Sequence, residues 1–230
     1  MTPDPRSSGG GPGCFIVSAG GDGVGKTTQV ERLCRRLIED GYEVVRTFEP
    51  GDTAVGARIR RLVLDPATGE LDPRAEALLY AADKAHHLAV VVRPALARGA
   101  VVVCDRYVDS MLAYQGAGRV LDPDAVELIA RWATADLRPD LTILLDTDPT
   151  DAVHGKAGKD RVEAAGGSFH ERARAFFVEL AERDPARYLV LDARRTREEI
   201  AAGIARRVDQ LVGSDAARTG RSDPAGTMNP

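Results

Sequence analysis

Five short apolar runs, rich in β-branched residues, alternate with helical patterns along this chain of 230 residues. Runs that are apolar along their whole length need cover on both faces, as the strands of a parallel sheet do. Their alternation with helices predicts a doubly wound α/β fold, with a five-stranded parallel sheet flanked by helices. The predicted strands are CFIVSA (14–19), YEVVRTF (42–48), AVVVCD (100–105), LTILLD (141–146) and YLVLDA (188–193).

Helical periodicity and capping residues locate the connecting helices. Asp72-Pro73 and Asp122-Pro123 each pair an N-cap aspartate with proline at the first helical position, which favours a helix start. Ligands of such sheets bind beyond the carboxyl ends of the strands, so functional residues are expected there. The predicted helices span 26–40, 54–64, 72–98 with a kink at Pro94, 122–135, 168–184 and 196–212.

Both ends of the chain are poor in residues that form a core. Residues 1–13 and 213–230 are rich in Pro, Gly and Ser. Such segments bury too little apolar surface to offset the entropy lost on ordering, so both are expected to be disordered tails. One domain is therefore predicted over residues 14–212.

Composition excludes several classes of protein. The net charge of −4 argues against nucleic acid as the main partner. No run of apolar residues is long enough to span a membrane, and the N-terminal residues lack the apolar region of a signal peptide. Three cysteines without CxxC spacing lie in apolar stretches, which predicts buried, reduced thiols and a cytoplasmic protein.

The segment after the first strand, GGDGVGKT (20–27), fits the pattern G-x-x-x-x-G-K-[ST]. Its glycines let backbone N–H groups turn toward phosphate oxygens, while the lysine reaches the β- and γ-phosphates and the threonine hydroxyl is placed for Mg²⁺. The following helix adds its positive N-terminal end. The pattern predicts a site for a nucleoside triphosphate with Mg²⁺, formed by Gly20, Gly21, Asp22, Gly23, Val24, Gly25, Lys26, Thr27 and Thr28.

A second motif, Asp105-Arg106-Tyr107, follows the third predicted strand. Phosphate loops occur in GTPases, motor ATPases and small-molecule kinases, so the loop alone does not define the reaction. The chain has no Asn-Lys-x-Asp motif for guanine, and Arg106 is suited to clamp a second phosphate. A helix-capping aspartate beside a surface arginine is the alternative explanation, but the position at a strand end favours a kinase of small molecules.

Together these motifs resemble the thymidylate kinases, the nucleoside monophosphate kinases that make thymidine diphosphate. The resemblance spans nearly all of residues 14–212 and implies a bacterial-type P-loop kinase domain with a small lid. It also implies transfer of a phosphoryl group from ATP to the 5′-phosphate of dTMP, and a homodimer packed through long helices. It is carried by FIVSAGGDGVGKTTQ (15–29), FEPGDT (48–53), LLYAADKAHHL (78–88), DRYVDSMLAYQGAGR (105–119), LLDTDP (144–149) and KDRVE (159–163).

The resemblance also implies roles for individual residues, with Thr27 and Asp105 as the Mg²⁺ ligands. A lid is expected over residues 150–163. The implied catalytic residues are Asp22, Lys26, Asp105, Arg106, Lys156, Lys159 and Arg161. The implied acceptor-binding residues are Phe48, Glu49, Tyr80, Lys84, Arg106, Tyr107, Ser110, Met111, Tyr114 and Gln115.

Several of these positions depart from the family pattern. Lysine replaces the planar fork of an arginine by a point charge, and methionine offers an apolar surface in place of a hydrogen bond. Two alternatives therefore stand beside dTMP: another pyrimidine acceptor, 5-substituted or of cytosine type, or a degenerate nucleotide-binding regulator. The departures are Ala19 for glutamate, Phe48 for arginine, Asp52 for glycine, Lys84 for arginine, Met111 for a small polar residue and Gly155 for arginine.

Overall fold

The computed structural model of the protein describes residues 13–148 and 160–219. The described residues form one sheet of five strands in the order β2–β3–β1–β4–β5. All strand pairings are parallel, so the five carboxyl ends lie at one edge. The prediction of a five-stranded parallel sheet is confirmed. The strands are β1 (Cys14–Gly20), β2 (Val44–Phe48), β3 (Val101–Asp105), β4 (Leu141–Asp146) and β5 (Tyr188–Asp192).

Helices cover both faces of the sheet, which explains why the strand sequences are apolar throughout. One face packs against α1 and α8 and buries the side chains of Val30, Leu33 and Ile204. On the other face, α3 to α7 bury a second set of apolar residues. All three cysteines are buried, as predicted. The helices are α1 (Lys26–Glu39), α2 (Ala54–Leu64), α3 (Pro73–His87), α4 (Arg93–Ala97), α5 (Val108–Met111), α6 (Pro123–Thr134), α7 (Gly167–Arg183) and α8 (Arg197–Thr219).

The predicted helix over residues 72–98 is three consecutive helical segments. A π-helical segment, Leu88–Val92, joins α3 to α4. Pro94 lies in the first turn of α4 and cannot donate a hydrogen bond to the preceding turn. The wider turn just before it accommodates this lost bond, so the irregularity precedes the proline.

Two other elements differ from the sequence prediction. The chain from Val108 to Gly118 is helical, first as α5 and then as a π-helical segment, Leu112–Gly118. Its glycines have low helix propensity, so the sequence pattern did not predict a helix there. Helix α8 continues to Thr219, past the predicted domain boundary at residue 212. The other predicted tail residues, 1–12 and 220–230, lie outside the described ranges.

Within residues 13–148 and 160–219, no helix combines the length and the apolar character needed to cross a membrane.

Candidate active site

The phosphate loop lies between the carboxyl end of β1 and the start of α1. Gly20 has a φ of 128°, and a Cβ atom there would lie 2.3 Å from the carbonyl oxygen of Leu145. Only glycine fits this close approach of two strands. Gly25 precedes α1 without a side-chain hydrogen bond to the helix. The first N–H groups of α1 are therefore directed at the loop and able to bind an anion.

Lys26 is almost fully buried, with 6% of its surface exposed. Its ammonium donates a hydrogen bond to the carbonyl oxygen of Gly21 inside the loop. Burial, reinforced by the neighbouring Arg106, lowers the pKa of Lys26 to about 7. The protein alone therefore stabilises the charged form of Lys26 poorly. A phosphate bound in the loop would stabilise that charge.

Thr27 and Asp105 meet at the mouth of the loop. The Thr27 hydroxyl donates to Oδ2 of Asp105 over 2.9 Å. The other carboxylate oxygen of Asp105 is buried and has no hydrogen-bond partner in the described part of the chain. Hydroxyl and carboxylate oxygens are the ligands that Mg²⁺ takes beside nucleotide phosphates. The residues present therefore fit the predicted magnesium site.

Arg106 connects the phosphate loop to a neighbouring cavity. Its guanidinium donates to the carbonyl oxygen of Gly20 over 3.1 Å and forms an ion pair with Asp22. Burial disfavours the ionised carboxylate, but Arg106 and Lys26 outweigh burial and hold the pKa of Asp22 below its ordinary value. Arg106 also has a φ of 70°, a left-handed conformation that costs a residue with a Cβ atom about 1–2 kcal/mol. Such strain is typical of functional positions.

The cavity beside Arg106 brings together most of the predicted acceptor residues. Asp22 and Arg106 lie in its wall, so it borders the phosphate loop. Its other lining residues come from the turn after β2, α2, α3, α5, the segment after α5 and residues 160–162. Together the lining residues are Asp22, Glu49, Pro50, Arg60, Leu64, Tyr80, Lys84, Arg106, Ser110, Met111, Tyr114, Gln115, Asp160 and Val162.

The aromatic wall of this cavity is held by packing behind it. The Tyr114 ring stacks on Phe169 with centroids 5.7 Å apart and meets Phe177 edge-on at 5.8 Å. The Arg106 guanidinium lies over the Tyr114 ring, 5.3 Å from its centre. Tyr114 is therefore held both by an apolar cluster and by the cation that borders the phosphate loop.

Lys84, the residue that replaces the family's arginine, forms a buried ion pair in the cavity. Its ammonium lies 2.8 Å from Oε2 of Glu49, and both side chains are at most 2% exposed. His87 approaches the other carboxylate oxygen of Glu49 at 2.7 Å. Burial alone would raise the pKa of Glu49, but Lys84 and His87 outweigh it and lower that pKa. The cavity thus contains an ionised carboxylate between two basic side chains.

Two predicted acceptor residues do not line the cavity. Tyr107 is 1% exposed and belongs to the core: its hydroxyl donates to the carbonyl oxygen of Leu137, and its ring meets Phe15 edge-on at 5.0 Å. Phe48 is 40% exposed, with Arg60 stacked over its ring at 5.8 Å. Phe48 ends β2, and the cavity wall begins at the next residue, Glu49.

The predicted lid residues fall into two groups. Lys156 and Lys159 lie outside the described residues. Arg161 donates to the carbonyl oxygens of Val63 and Gly69 at 2.9 and 2.8 Å and contacts Glu76 at 3.3 Å. The structure therefore directs Arg161 toward the connection between α2 and α3, away from the phosphate loop. Its buried partner Glu76 also accepts hydrogen bonds from Gln115 and Arg119.

Sequence reasoning missed several residues of the cavity wall. Arg60 was indistinguishable from the other exposed arginines of α2, yet it reaches the carbonyl oxygen of Pro50 at 2.7 Å. Asp160 and Val162 lie in the wall although their sequence segment suggested a separate lid. Only the contact of residues 160–162 with α2 brings them to the cavity.

Comparison with known proteins agrees with this geometry. A family model described as thymidylate kinase matches residues 19–204. The thymidylate kinase of Cutibacterium acnes is 56% identical over 200 residues, covering 87% of this chain and 98% of that protein. The thymidylate kinase of Leifsonia xyli subsp. xyli is 56% identical over 206 residues, covering 87% of this chain and 97% of that protein. The crystal structure of thymidylate kinase from Ehrlichia chaffeensis superposes with a TM-score of 0.71 at 30% identity, covering 86% of this chain and 99% of that one. The chain therefore belongs to the thymidylate kinase family, as its motifs implied, and is a nucleoside monophosphate kinase with a P-loop fold.

Proposed function

We propose that this protein transfers the γ-phosphoryl group of ATP to the 5′-phosphate of dTMP, giving dTDP, with Mg²⁺ as cofactor. The observation that carries the proposal is the position of Arg106, which contacts Asp22 of the phosphate loop and also lines the acceptor cavity. The two phosphate sites of this proposal would therefore meet at one guanidinium. The relatives that are 56% identical over nearly their whole length are thymidylate kinases, so another pyrimidine acceptor and a degenerate regulator are not favoured.

In-line phosphoryl transfer depends on positioning and on neutralising charge, without a covalent intermediate on the protein. Lys26 would hold the β- and γ-phosphates of ATP, and Arg106 would orient the phosphate of the acceptor. Thr27 and Asp105 would hold Mg²⁺, which supplies charge neutralisation at the phosphates when bound. We assign the remaining cations to a lid over residues 150–163, through Lys156 and Lys159, within a kinase domain over 14–212.

Recognition of the thymine base would use the side chains around the Glu49–Lys84 pair. Tyr80 is 8% exposed and presents its ring to the cavity from α3. An ammonium carries three N–H donors, so Lys84 is able to donate to a base carbonyl while it remains paired with Glu49. Met111 offers an adaptable apolar surface suited to the methyl group of thymine. The departures from the family pattern are thus compatible with dTMP as acceptor.

A coupled assay of ADP release against a panel of acceptors tests this proposal. The panel contains dTMP, dUMP, UMP, CMP, dCMP and the 5-hydroxymethyl derivatives. We expect the highest kcat/KM with dTMP. A higher kcat/KM with another pyrimidine monophosphate would show that this compound, and not dTMP, is the preferred acceptor. If no monophosphate stimulated the release of ADP, the assignment as a kinase would be overturned.

Binding of ATP is expected to take up protons at about pH 8, because Lys26 has a pKa of about 7 in the unliganded protein. Above that pKa the free lysine is mostly neutral, whereas phosphates beside it favour the ammonium and raise the pKa. Affinity for ATP should therefore fall as the pH rises above about 7, by at most about tenfold per pH unit. Titration calorimetry in two buffers of different ionisation enthalpy measures the uptake.

The matched control for this measurement is Lys26→Arg, which keeps a cation in the loop that does not titrate. The proton uptake should disappear in that variant. Equal uptake in the wild type and in Lys26→Arg would show that another group is responsible.

We further propose a cytoplasmic homodimer that packs through α3 and α6. These helices present an apolar groove in which Leu78, Leu128 and Trp132 are 55%, 68% and 86% exposed. Side chains of this size rarely stay in water as a contiguous patch, and a second copy of the chain would cover them. Elsewhere on α3 and the π-helical segment after it, Val90 is exposed, Leu79 and His86 are half-buried, and Val92 is fully buried.

Trp132→Glu is expected to convert the dimer to a monomer, because it places a charge at the centre of the apolar groove. Light scattering coupled to gel filtration measures the mass. The substitution should have little effect on the stability of the subunit itself, since the Trp132 side chain is 86% exposed and makes few contacts within its own chain. Ile38→Glu, at an apolar site that is 59% exposed on α1, is the control, and it should leave the dimer intact. A dimeric Trp132→Glu protein would contradict the proposed interface.

A further inference from the structure

A chain of hydrogen bonds runs from solvent to the acceptor cavity. Thr47 donates to the exposed carboxylate of Asp52 over 2.5 Å, and the same hydroxyl oxygen lies 2.5 Å from Nε2 of His87. His87 Nδ1 lies 2.7 Å from Glu49, whose second oxygen accepts from Lys84 over 2.8 Å. Apart from Asp52, every member is at most 2% exposed. Asp52 stands where the family pattern has glycine, so the first contact of this chain depends on a residue that departs from that pattern.

The capacity of each group to donate or accept dictates where the protons lie. A threonine hydroxyl has one proton, and an ionised carboxylate is able only to accept. Thr47 therefore gives its proton to Asp52 and accepts one from Nε2 of His87. Glu49 is also acceptor-only when ionised, so Nδ1 of His87 must donate to it. Both ring nitrogens of His87 then carry a proton.

Either neutral form of His87 leaves a repulsive contact. With the proton on Nε2 alone, the lone pair of Nδ1 faces a Glu49 oxygen at 2.7 Å. With the proton on Nδ1 alone, Thr47 must donate to Nε2 of His87. The lone pairs of the Thr47 hydroxyl oxygen then face Oδ2 of Asp52 at 2.5 Å. Protonation of Glu49 would also relieve the repulsion, but the lowered pKa of that carboxyl group makes its protonation unfavourable.

We propose that Asp52, acting through Thr47, keeps His87 doubly protonated, and that this imidazolium, together with Lys84, holds the Glu49 carboxylate in one orientation at the acceptor cavity. Asp52, Thr47 and His87 are positioning residues for acceptor binding. The inference rests on the proposed function only in assigning the cavity to the acceptor. The protonation of His87 stands independently of it.

The charges packed around His87 are compatible with a buried cation. Glu49 and Asp52 supply two carboxylates for His87 and Lys84, and buried charges persist only when they are paired in this way. Asp83 accepts from the backbone N–H of Gly51 over 3.2 Å, and burial raises the pKa of Asp83. Burial also raises the pKa of Cys104 on β3, which keeps that neighbour a neutral thiol.

Removing Asp52 should change the proton count on His87. In Asp52→Gly, the residue of the family pattern, the Thr47 hydroxyl is free to turn and donate to Nε2. His87 then becomes a neutral ring with its proton on Nδ1, and a neutral donor binds a carboxylate less strongly than a charged one. Glu49 keeps its partners but is held more weakly.

Long-range ¹H–¹⁵N NMR of the histidine rings measures this directly. The chain has four histidines, and His87→Gln assigns the signals of His87. In the wild type both nitrogens of His87 should show the shift of a protonated nitrogen. In Asp52→Gly only Nδ1 should do so. A singly protonated His87 in the wild type, or an unchanged ring in Asp52→Gly, overturns the proposal.

Kinetics test the positioning role separately. Asp52→Gly should raise the KM for dTMP about fivefold, with kcat and the KM for ATP within about twofold. Thr47→Val should have the same effect, and the double variant should be no worse than Thr47→Val, because both act through one chain of bonds. Glu70→Gln, which neutralises an exposed carboxylate outside this chain, is the control. An unchanged KM in an Asp52→Gly protein whose His87 has lost a proton overturns the positioning role. If dTMP is not phosphorylated at all, the proposed function fails while NMR still decides the protonation.

Discussion

Lys26→Ala is expected to lower kcat by about 10³-fold, the loss typical of removing one preorganised group that stabilises developing charge. The ammonium is enclosed by the loop, where it donates to the carbonyl oxygen of Gly21, and a lysine at this position of the motif is expected to contact the β- and γ-phosphates. Among residues 13–148 and 160–219, the neighbouring cation is Arg106, and it is already paired with Asp22, so it is not expected to replace Lys26. The coupled assay with saturating ATP and dTMP measures the effect.

The same substitution should cost little stability. Lys26 is a buried cation whose pKa is lowered to about 7 by desolvation, so its charged form is destabilised by folding rather than stabilised. Thermal unfolding should therefore occur within a few degrees of the wild type. Lys26→Arg, which retains charge but not shape, should recover only part of the activity. Activity of Lys26→Ala within tenfold of the wild type would remove the phosphate loop from the mechanism.

Arg106→Ala is expected to lower kcat by about 10³-fold and to raise the KM for dTMP by more than about tenfold. The KM for ATP should change by only a few-fold. The reason is that Arg106 borders both the phosphate loop and the proposed acceptor cavity, whereas the backbone N–H groups of residues 20–27 would also hold ATP. Initial-rate measurements at varied ATP and varied dTMP separate the three parameters.

Backbone strain at Arg106 needs its own control. Its φ of 70° favours glycine, and alanine there retains the strain without the guanidinium. Arg106→Gly should therefore lose as much activity as Arg106→Ala but be more stable by about 1 kcal/mol. If Arg106→Gly and Arg106→Ala were equally stable but differed in activity, backbone geometry and not the lost charge would explain the loss of activity. A change confined to the KM for ATP would show that the cavity is not the acceptor site.

The strands and the phosphate loop were predictable because their signals are local. An apolar run needs cover on both faces wherever it occurs, and β4 has the predicted bounds, residues 141–146. The loop pattern requires glycines for backbone conformation and a lysine at a set spacing, which no distant contact alters. The helical segment from Val108 to Gly118 escaped prediction because its packing against α7 outweighs the low helix propensity of its glycines.

The positions of the two tyrosines in the DRYVDSMLAYQGAGR motif could not be predicted from the local sequence. Tyr107 and Tyr114 belong to one motif, yet Tyr107 packs on Phe15 in the core while Tyr114 lines the cavity beside Arg106. Nothing in their immediate sequence distinguishes the two tyrosines. Tyr107 precedes α5 in an extended conformation, whereas Tyr114 lies in the π-helical segment that packs against α7, and this packing makes the difference.

The sequence by itself determined the parallel sheet, the phosphate loop and the family to which the chain belongs. These depend on periodicity and on motifs of contiguous residues. Only the tertiary structure decided which charged groups pair: Lys84 with Glu49, Arg161 with Glu76, and Asp52 with His87 through Thr47. Such partners lie far apart in the chain, and burial makes their charges costly unless they meet. Their pairing therefore follows from how the elements pack, which no local pattern encodes.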